Sequence, residues 1–426
     1  MQASGGGSRE ASFAHEKLQN SLAVEIQRLG HLGHGIADGP VFVPRTLPGE
    51  VVEGVVREGS IHKPRILRAS TDRVSAPCRH YKACGGCSLQ HAHDDFVAEW
   101  KKTIVKTALL ARGIVSEVRS IHTSPASSRR RATLSGRRTK KSATVGFHQQ
   151  GSDVIHDIPD CLILVPEILN AIPSLAEISI YSASRKGKLQ FSVTATETGL
   201  DVSVRGGKAM SLELHQALVG AVQDVGIARL SWDGETVVTL QRPVLKLGTA
   251  FVTPPPGCFL QATRQGEAAL QAAVLEAVED TDGPVVDLFS GLGTFALPLA
   301  AARHVHAVES DRSMLAALDE GWRHSHGLHH LSTEQRDLFR NPLPSHELAR
   351  FAAAVIDPPR AGAEAQTRAL AASKVARIAF VSCNPVTFAR DAEVLVNAGY
   401  RLDWLDVVDQ FRWSPHVELV AQFSLD

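Results

Sequence analysis

Val285-Val286-Asp287-Leu288-Phe289-Ser290-Gly291-Leu292-Gly293-Thr294 reads as a short apolar strand running into a glycine-rich loop. Further apolar segments follow at His304 to Val308, Phe351 to Ile356 and Ile378 to Val381, separated by Ala/Leu-rich helical stretches. Strands alternating with helices in this way predict a parallel, doubly wound α/β domain over residues 251–426. Ligands of such open sheets gather at the carboxyl ends of the strands.

Four of those ends carry acids. Asp287 precedes the glycines, Glu309 ends the next strand, Asp337 follows a third segment, and Asp357-Pro358-Pro359-Arg360 closes the fourth. The loop Gly291-Leu292-Gly293-Thr294-Phe295-Ala296 satisfies the loose dinucleotide pattern, which alone is weak. A carboxylate at Glu309 can hold ribose hydroxyls. Four acids suit a ligand with a sulfonium, an amino acid moiety and a nucleoside, and they repel a pyrophosphate. S-adenosylmethionine is therefore expected ahead of NAD.

Ser382-Cys383-Asn384-Pro385 puts a thiol at the end of the last parallel strand, in a turn expected to expose it. Cysteine suits attack on a soft electrophilic carbon. Glu418, inside the apolar run His416-Val417-Glu418-Leu419-Val420, is expected to be half-buried, with a raised pKa that lets it serve as a base. A thiolate, a base and a methyl donor together suit C5 of uracil. Addition of sulfur at C6 makes C5 nucleophilic, and a base then removes the C5 proton. The target base must leave its stack to be reached.

Upstream, strand-like Val24-Glu25-Ile26 and Val51 to Val56 with intervening glycines predict a small OB-like β-barrel. Phe96, Val97, Trp100, Ile104, Val105, Ala108 and Leu109 recur at helical spacing across residues 94 to 113. Residues 129 to 250 read as antiparallel strands and turns. Cys78, Cys84 and Cys87, with the distant Cys161, have the grouping of an iron–sulfur ligand set; zinc sites pair their ligands more evenly. Cys258 is expected to be a packing residue. Arg129, Arg130, Arg131, Arg137 and Arg138 lie in a stretch without acids and are expected to contact RNA phosphates.

The 426 residues carry no net formal charge, so nucleic-acid affinity must be local. Residues 1–18 read as a disordered tail without a secretory signal. No apolar run approaches the roughly 18 residues of a membrane span. A cytoplasmic monomer is expected, where cysteines are more often ligands or nucleophiles than disulfide partners.

Together these residues resemble the RNA (uracil-5-)-methyltransferase family, and within it the 23S rRNA branch with a TRAM domain and a [4Fe–4S] cluster. Gly35-Ile36-Ala37-Asp38-Gly39 and Leu47-Pro48-Gly49-Glu50 look like TRAM, and Cys84-Gly85-Gly86-Cys87-Ser88-Leu89-Gln90-His91 matches the cluster motif. The resemblance implies a TRAM domain at 19–76, an iron–sulfur and RNA-binding domain at 77–250, and a Rossmann-like methyltransferase domain at 251–426. It implies that Cys78, Cys84, Cys87 and Cys161 bind the cluster. Gln261, Phe289, Thr294, Glu309, Asp337 and Asp357 would bind S-adenosylmethionine, with Cys383 the nucleophile and Glu418 the base. Three departures stand out: Thr294 and Thr263 where Asn is common, and Phe411-Arg412-Trp413-Ser414-Pro415-His416 in place of Phe-Pro-x-Thr-x-His. Methylation of tRNA, a non-catalytic iron–sulfur RNA-binding protein and a Rossmann oxidoreductase remain as alternatives.

Overall fold

The computed structural model describes residues 21–182, 184, 187–223 and 225–425. The expected tail at residues 1–18 lies outside them. The chain divides into two compact units. Among the described residues, one holds those up to Tyr81, with Cys87–Trp100 and Trp413–Pro415; the other holds Lys82–Gly86 and those of Lys101–Arg412 and from His416 on. Among the described residues, no helix is long and apolar enough to cross a membrane.

The first unit contains the expected small β structure. Its five-stranded antiparallel sheet has the order Val41–Val43, Gly35–Ala37, Ser21–Leu29, Val51–Val55, Arg65–Arg68. A bulge between Ile26 and Arg28 breaks the pairing of the long first strand; such an extra residue bends a strand and sharpens its twist. Ile26, Val43, Val52 and Ile61 fill the core. The carboxylate of Glu50 is buried beside them and accepts from Leu47 N and from the Arg73 guanidinium.

The second unit carries two larger sheets. Seven strands lie in the order Glu235–Thr239, Ile227–Trp232, Leu200–Arg205, Leu189–Ala195, Arg131–Arg138, Ala143–His148, Ile155–Asp157. Every pairing is antiparallel, as expected, except that of Leu200–Arg205 with Ile227–Trp232. A parallel pair needs a crossover, and the helix Leu212–Ala221 provides it. That helix and Pro166–Ser182 are additions to the strand-and-turn reading. In the latter, Ile168, Ala171, Ile172, Leu175 and Ile178 are buried at helical spacing; its β-branched residues and internal Pro173 disguise the period.

The other sheet is the expected doubly wound one. Its order is Leu331–Gln335, Val305–Glu309, Val285–Leu288, Ala353–Ile356, Arg377–Ser382, Glu418–Ser424, Arg401–Asp409, Ser120–Thr123. The first five strands are mutually parallel, and Glu418–Ser424 runs antiparallel to both of its neighbours. Alternation along the strands feeds two cores. Val286, Leu288, Ile378, Phe380 and Leu419 join one; Val285, Ala379, Val381 and Val420 join the other. Both faces are apolar because helices cover both. Ser120–Thr123 comes from the stretch assigned to the central domain, yet it pairs in parallel with Arg401–Asp409. Val105, Leu109 and Ile114 likewise pack into the first of these cores.

Candidate active site

The glycine loop leaves Leu288 through Phe289, whose φ is +63°, and turns at Gly291 and Gly293, with φ of +53° and +86°. A side chain at Gly293 would put its Cβ 2.8 Å from Leu318 Cδ1, so the close approach of the following helical face requires glycine. Glu309 fastens the loop: its Oε2 accepts from Gly291 N at 3.1 Å, while Oε1 accepts from Ser310 N at 2.7 Å and Asp311 N at 2.9 Å. Phe289 packs on Phe339, with ring centroids 5.4 Å apart. Asp337 is exposed, and its Oδ1 accepts from Phe339 N at 3.0 Å. Thr294 is half-buried, and its carbonyl accepts from Gln271 Nε2 at 3.0 Å.

Beneath the loop, both carboxyl oxygens of Asp287 and the Oγ of Ser290 are buried without a hydrogen-bond partner. Burial, and then the charge of Asp357, pushes the Asp287 carboxyl well above the usual range. Asp357 itself is pushed up to about 7 by burial. Crowded acids of this kind favour a cation in their midst. The orphaned oxygens, the Gly293 cradle and the strand-end acids fit S-adenosylmethionine, which brings a sulfonium and an ammonium.

Cys383 sits in the turn between strand Arg377–Ser382 and helix Pro385–Asn397. Asn384 shapes that turn. Its Oδ1 caps the helix by accepting from Val386 N at 3.1 Å, and its Nδ2 donates to the Arg360 carbonyl at 2.9 Å. The Asp-Pro-Pro-Arg loop is thereby tied to the cysteine turn. In the next strand Leu419 pairs with Ser382, which brings Glu418 alongside Cys383. The thiol is half-buried. Burial, then Glu418 and Asp357, push it up to about 11, and Arg360 opposes them. Glu418 is 4 % exposed, more deeply buried than the half-burial its apolar run predicts. Burial, then Asp357, push it up to about 8, against the Gln410 amide that donates to its Oε2 at 3.1 Å. Burial and the crowded acids thus hold both groups toward their protonated forms, and a positive charge nearby would oppose that.

Gln261 is buried, and its Oε1 accepts from Gln410 Nε2 at 2.6 Å. Gln410 thus links Gln261 to Glu418, a link for which the sequence offered only an amide next to Asp409. Lys101 was also missed. It is fully buried, and its Nζ reaches Asp409 Oδ1 at 2.5 Å and the Phe411 carbonyl at 3.2 Å. Its four-residue spacing from Val97 and Val105 was the available signal.

The basic stretch divides. Arg130 does not present itself to RNA: its side chain is 4 % exposed and pairs with buried Glu267 at 2.5 Å. Its Nε donates to the Gln261 carbonyl at 3.3 Å, so it supports the site from below. Arg130 precedes the strand Arg131–Arg138, and its backbone is tied on both sides, donating to the Ala262 carbonyl and accepting from Ala195 N. Arg129, Arg131, Arg137 and Arg138 are half-buried. The Arg131 guanidinium lies 5.4 Å from the centroid of the exposed Phe259 ring, and that of Arg129 lies 5.9 Å from the Phe411 centroid.

Of the four cysteines expected to bind a cluster, Cys78 and Cys87 belong to the first unit, and Cys84 and Cys161 to the second. Cys84 and Cys161 pack against the same apolar core. Among the described residues, no group of three or more His, Cys, Asp or Glu is arranged to hold a metal ion. Cys258 packs against an apolar core, as expected, and burial pushes its thiol up to about 12.

Residues 251–423 match the family model described as tRNA (Uracil-5-)-methyltransferase. A 23S rRNA (uracil(1939)-C(5))-methyltransferase, RlmD, from Pseudomonas putida is 34 % identical over 98 % of this chain and 96 % of that protein. The chain belongs to the RNA (uracil-5-)-methyltransferase family. An uncharacterized RNA methyltransferase of Brucella suis is 43 % identical over 93 % of this chain and 96 % of its own length. The fold of this methyltransferase is shared with the crystal structure of Pyrococcus abyssi tRNA (uracil-54, C5)-methyltransferase in complex with S-adenosyl-L-homocysteine. The TM-score is 0.73 at 24 % identity, over 94 % of this chain and 99 % of that one.

Proposed function

We propose that this methyltransferase modifies C5 of one uridine in 23S rRNA through a covalent bond from Cys383 to C6 of the base. The observation that carries the reading is the placement of Cys383 and Glu418 at paired strand ends, close enough to influence each other's ionisation. S-adenosylmethionine, which Gln261, Phe289, Thr294, Glu309, Asp337 and Asp357 would hold, would supply an electrophilic methyl group. Its positive charge favours the thiolate of Cys383. The thiolate adds to C6, and the displaced π electrons make C5 nucleophilic. After C5 has gained the methyl group, Glu418 takes the C5 proton. The C–H pair re-forms the C5–C6 double bond and sulfur leaves. The 23S rRNA substrate is supported by the relative from Pseudomonas putida.

Nucleoside mass spectrometry of rRNA and tRNA from a deletion strain tests the assignment. Loss of 5-methyluridine from 23S rRNA is expected; loss from tRNA alone would move the substrate. A transcript carrying 5-fluorouridine should stay bonded to Cys383, because fluorine cannot leave as a proton. An oxidoreductase or a non-catalytic RNA-binding protein would give no such adduct.

Cys78, Cys84, Cys87 and Cys161 are further proposed to bind a [4Fe–4S] cluster, on the strength of their sequence spacing. The methyl transfer moves no net electrons, which favours a structural part for the cluster over a redox one. Iron and acid-labile sulfide in anaerobically purified protein, and their loss with Cys87→Ser, test this.

A further inference from the structure

Gln410 follows strand Arg401–Asp409 and is 2 % exposed. Both ends of its amide are used. Oε1 accepts from Ala262 N at 2.7 Å, and this backbone donor settles which end carries the hydrogens. Nε2 then donates to Gln261 Oε1 at 2.6 Å and to Glu418 Oε2 at 3.1 Å. Two hydrogens meet two acceptors, so the amide is saturated. An apolar side chain of the same size would leave three buried polar atoms unpaired.

The surroundings hold that amide in one place. A Cβ on Gly266 would come 2.7 Å from Gln410 Cβ, so the glycine lets the helix Arg264–Val278 close against it. On the other side, the neighbouring Asp409 is fixed by Lys101 and by Phe411 N, which donates to Oδ1 at 3.1 Å. The backbone of Gln261 and Ala262 is held in turn by Arg130, whose N–H donates to the Ala262 carbonyl at 2.9 Å.

We propose that Gln410 is a positioning residue for proton removal: it holds the Glu418 carboxylate in one orientation and couples it to Gln261. The proposal rests on the assignment of Cys383 and Glu418 above. A donor on Oε2 favours the ionised carboxylate, which is the form that accepts the C5 proton, and so works against the burial of Glu418. Formation of the bond from sulfur to C6 precedes that step and does not need it. Loss of Gln410 should therefore spare the first half of the reaction and slow the second.

The test compares Gln410→Met, near in volume and without a donor, with the unsubstituted protein. The Met variant should still alkylate at Cys383 with iodoacetamide and still bind S-adenosylmethionine, each within a few fold of the unsubstituted protein. Release of methylated 23S rRNA transcript should slow about tenfold, the equivalent of one pKa unit. The midpoint of its pH dependence should rise, and a covalent protein–RNA band should accumulate with ordinary uridine. An unchanged midpoint without such a band overturns the proposal, as does a uniform loss of alkylation, affinity and release. Should Gln410→Met fail to fold, Gly266→Ala displaces the same side chain and should move the midpoint the same way; an unmoved midpoint sinks the idea. If the unsubstituted protein forms no adduct with 5-fluorouridine RNA, the catalytic assignment falls, and this proposal with it.

Discussion

Cys383 and Glu418 face opposite demands. In the proposed reaction the thiol must ionise to attack, yet burial, and then the neighbouring acids, push it up to about 11. Iodoacetamide labelling of Cys383 should therefore be slow at neutral pH and accelerate as pH rises toward that value. Adding S-adenosylmethionine brings a positive charge to the acids and should lower the midpoint; an upward shift would contradict the site. Cys383→Ala should abolish turnover and leave S-adenosylmethionine affinity, read by calorimetry, within a few fold. Glu418 accepts a proton only when ionised. With its carboxyl pushed up to about 8, the rate of product release should climb as pH rises through that value. Glu418→Gln should transfer the methyl group once and leave RNA bonded to Cys383 on a denaturing gel. Normal release by that variant would point to another base.

At the scale of elements, the strand Arg131–Arg138 and the residues before it show how one run of charge is sorted into two tasks. Arg130 points inward to Glu267 and the Gln261 carbonyl, while its neighbours remain partly open to solvent. Removing one partner of a buried pair leaves the other charge uncompensated, at a cost of about 3–5 kcal/mol. Arg130→Met should therefore lower the melting temperature without changing the salt dependence of RNA binding. The double variant with Glu267→Leu should recover most of the loss. Arg137→Gln should instead leave stability nearly intact and reduce the salt slope by about one. Equal effects of the two single substitutions on RNA binding would reject this division.

In the whole molecule, the doubly wound sheet is not complete within residues 251–426. Ser120–Thr123 covers its edge, and Val105, Leu109 and Ile114 fill one of its cores. Lys101, from the same helix, holds the turn after Arg401–Asp409 through Asp409. A fragment spanning 251–426 should expose apolar surface, bind a hydrophobic dye and melt without cooperativity. A fragment spanning 101–426 should fold. A cooperative transition in the shorter piece would show the upstream segments to be dispensable.

The sequence by itself determined the parallel sheet and the glycine loop, and it marked the strand-end acids, Cys383 and Glu418 as candidates. Each is a local pattern: apolar runs of strand length, turn residues, and a polar group set in an apolar strand. It also carried the membership of the family. Tertiary structure alone decided the rest. Arg130 and Arg131 are adjacent in the chain and alike in chemistry, but only the packing of Glu267 against the first separates their roles. Gln410 and Gln261 lie far apart in sequence, and nothing local marks either as the other's partner. The edge strand Ser120–Thr123 and the buried Lys101 follow the same logic. Local composition fixes which element a segment forms, whereas a hydrogen bond or ion pair between distant segments exists only once the chain has folded.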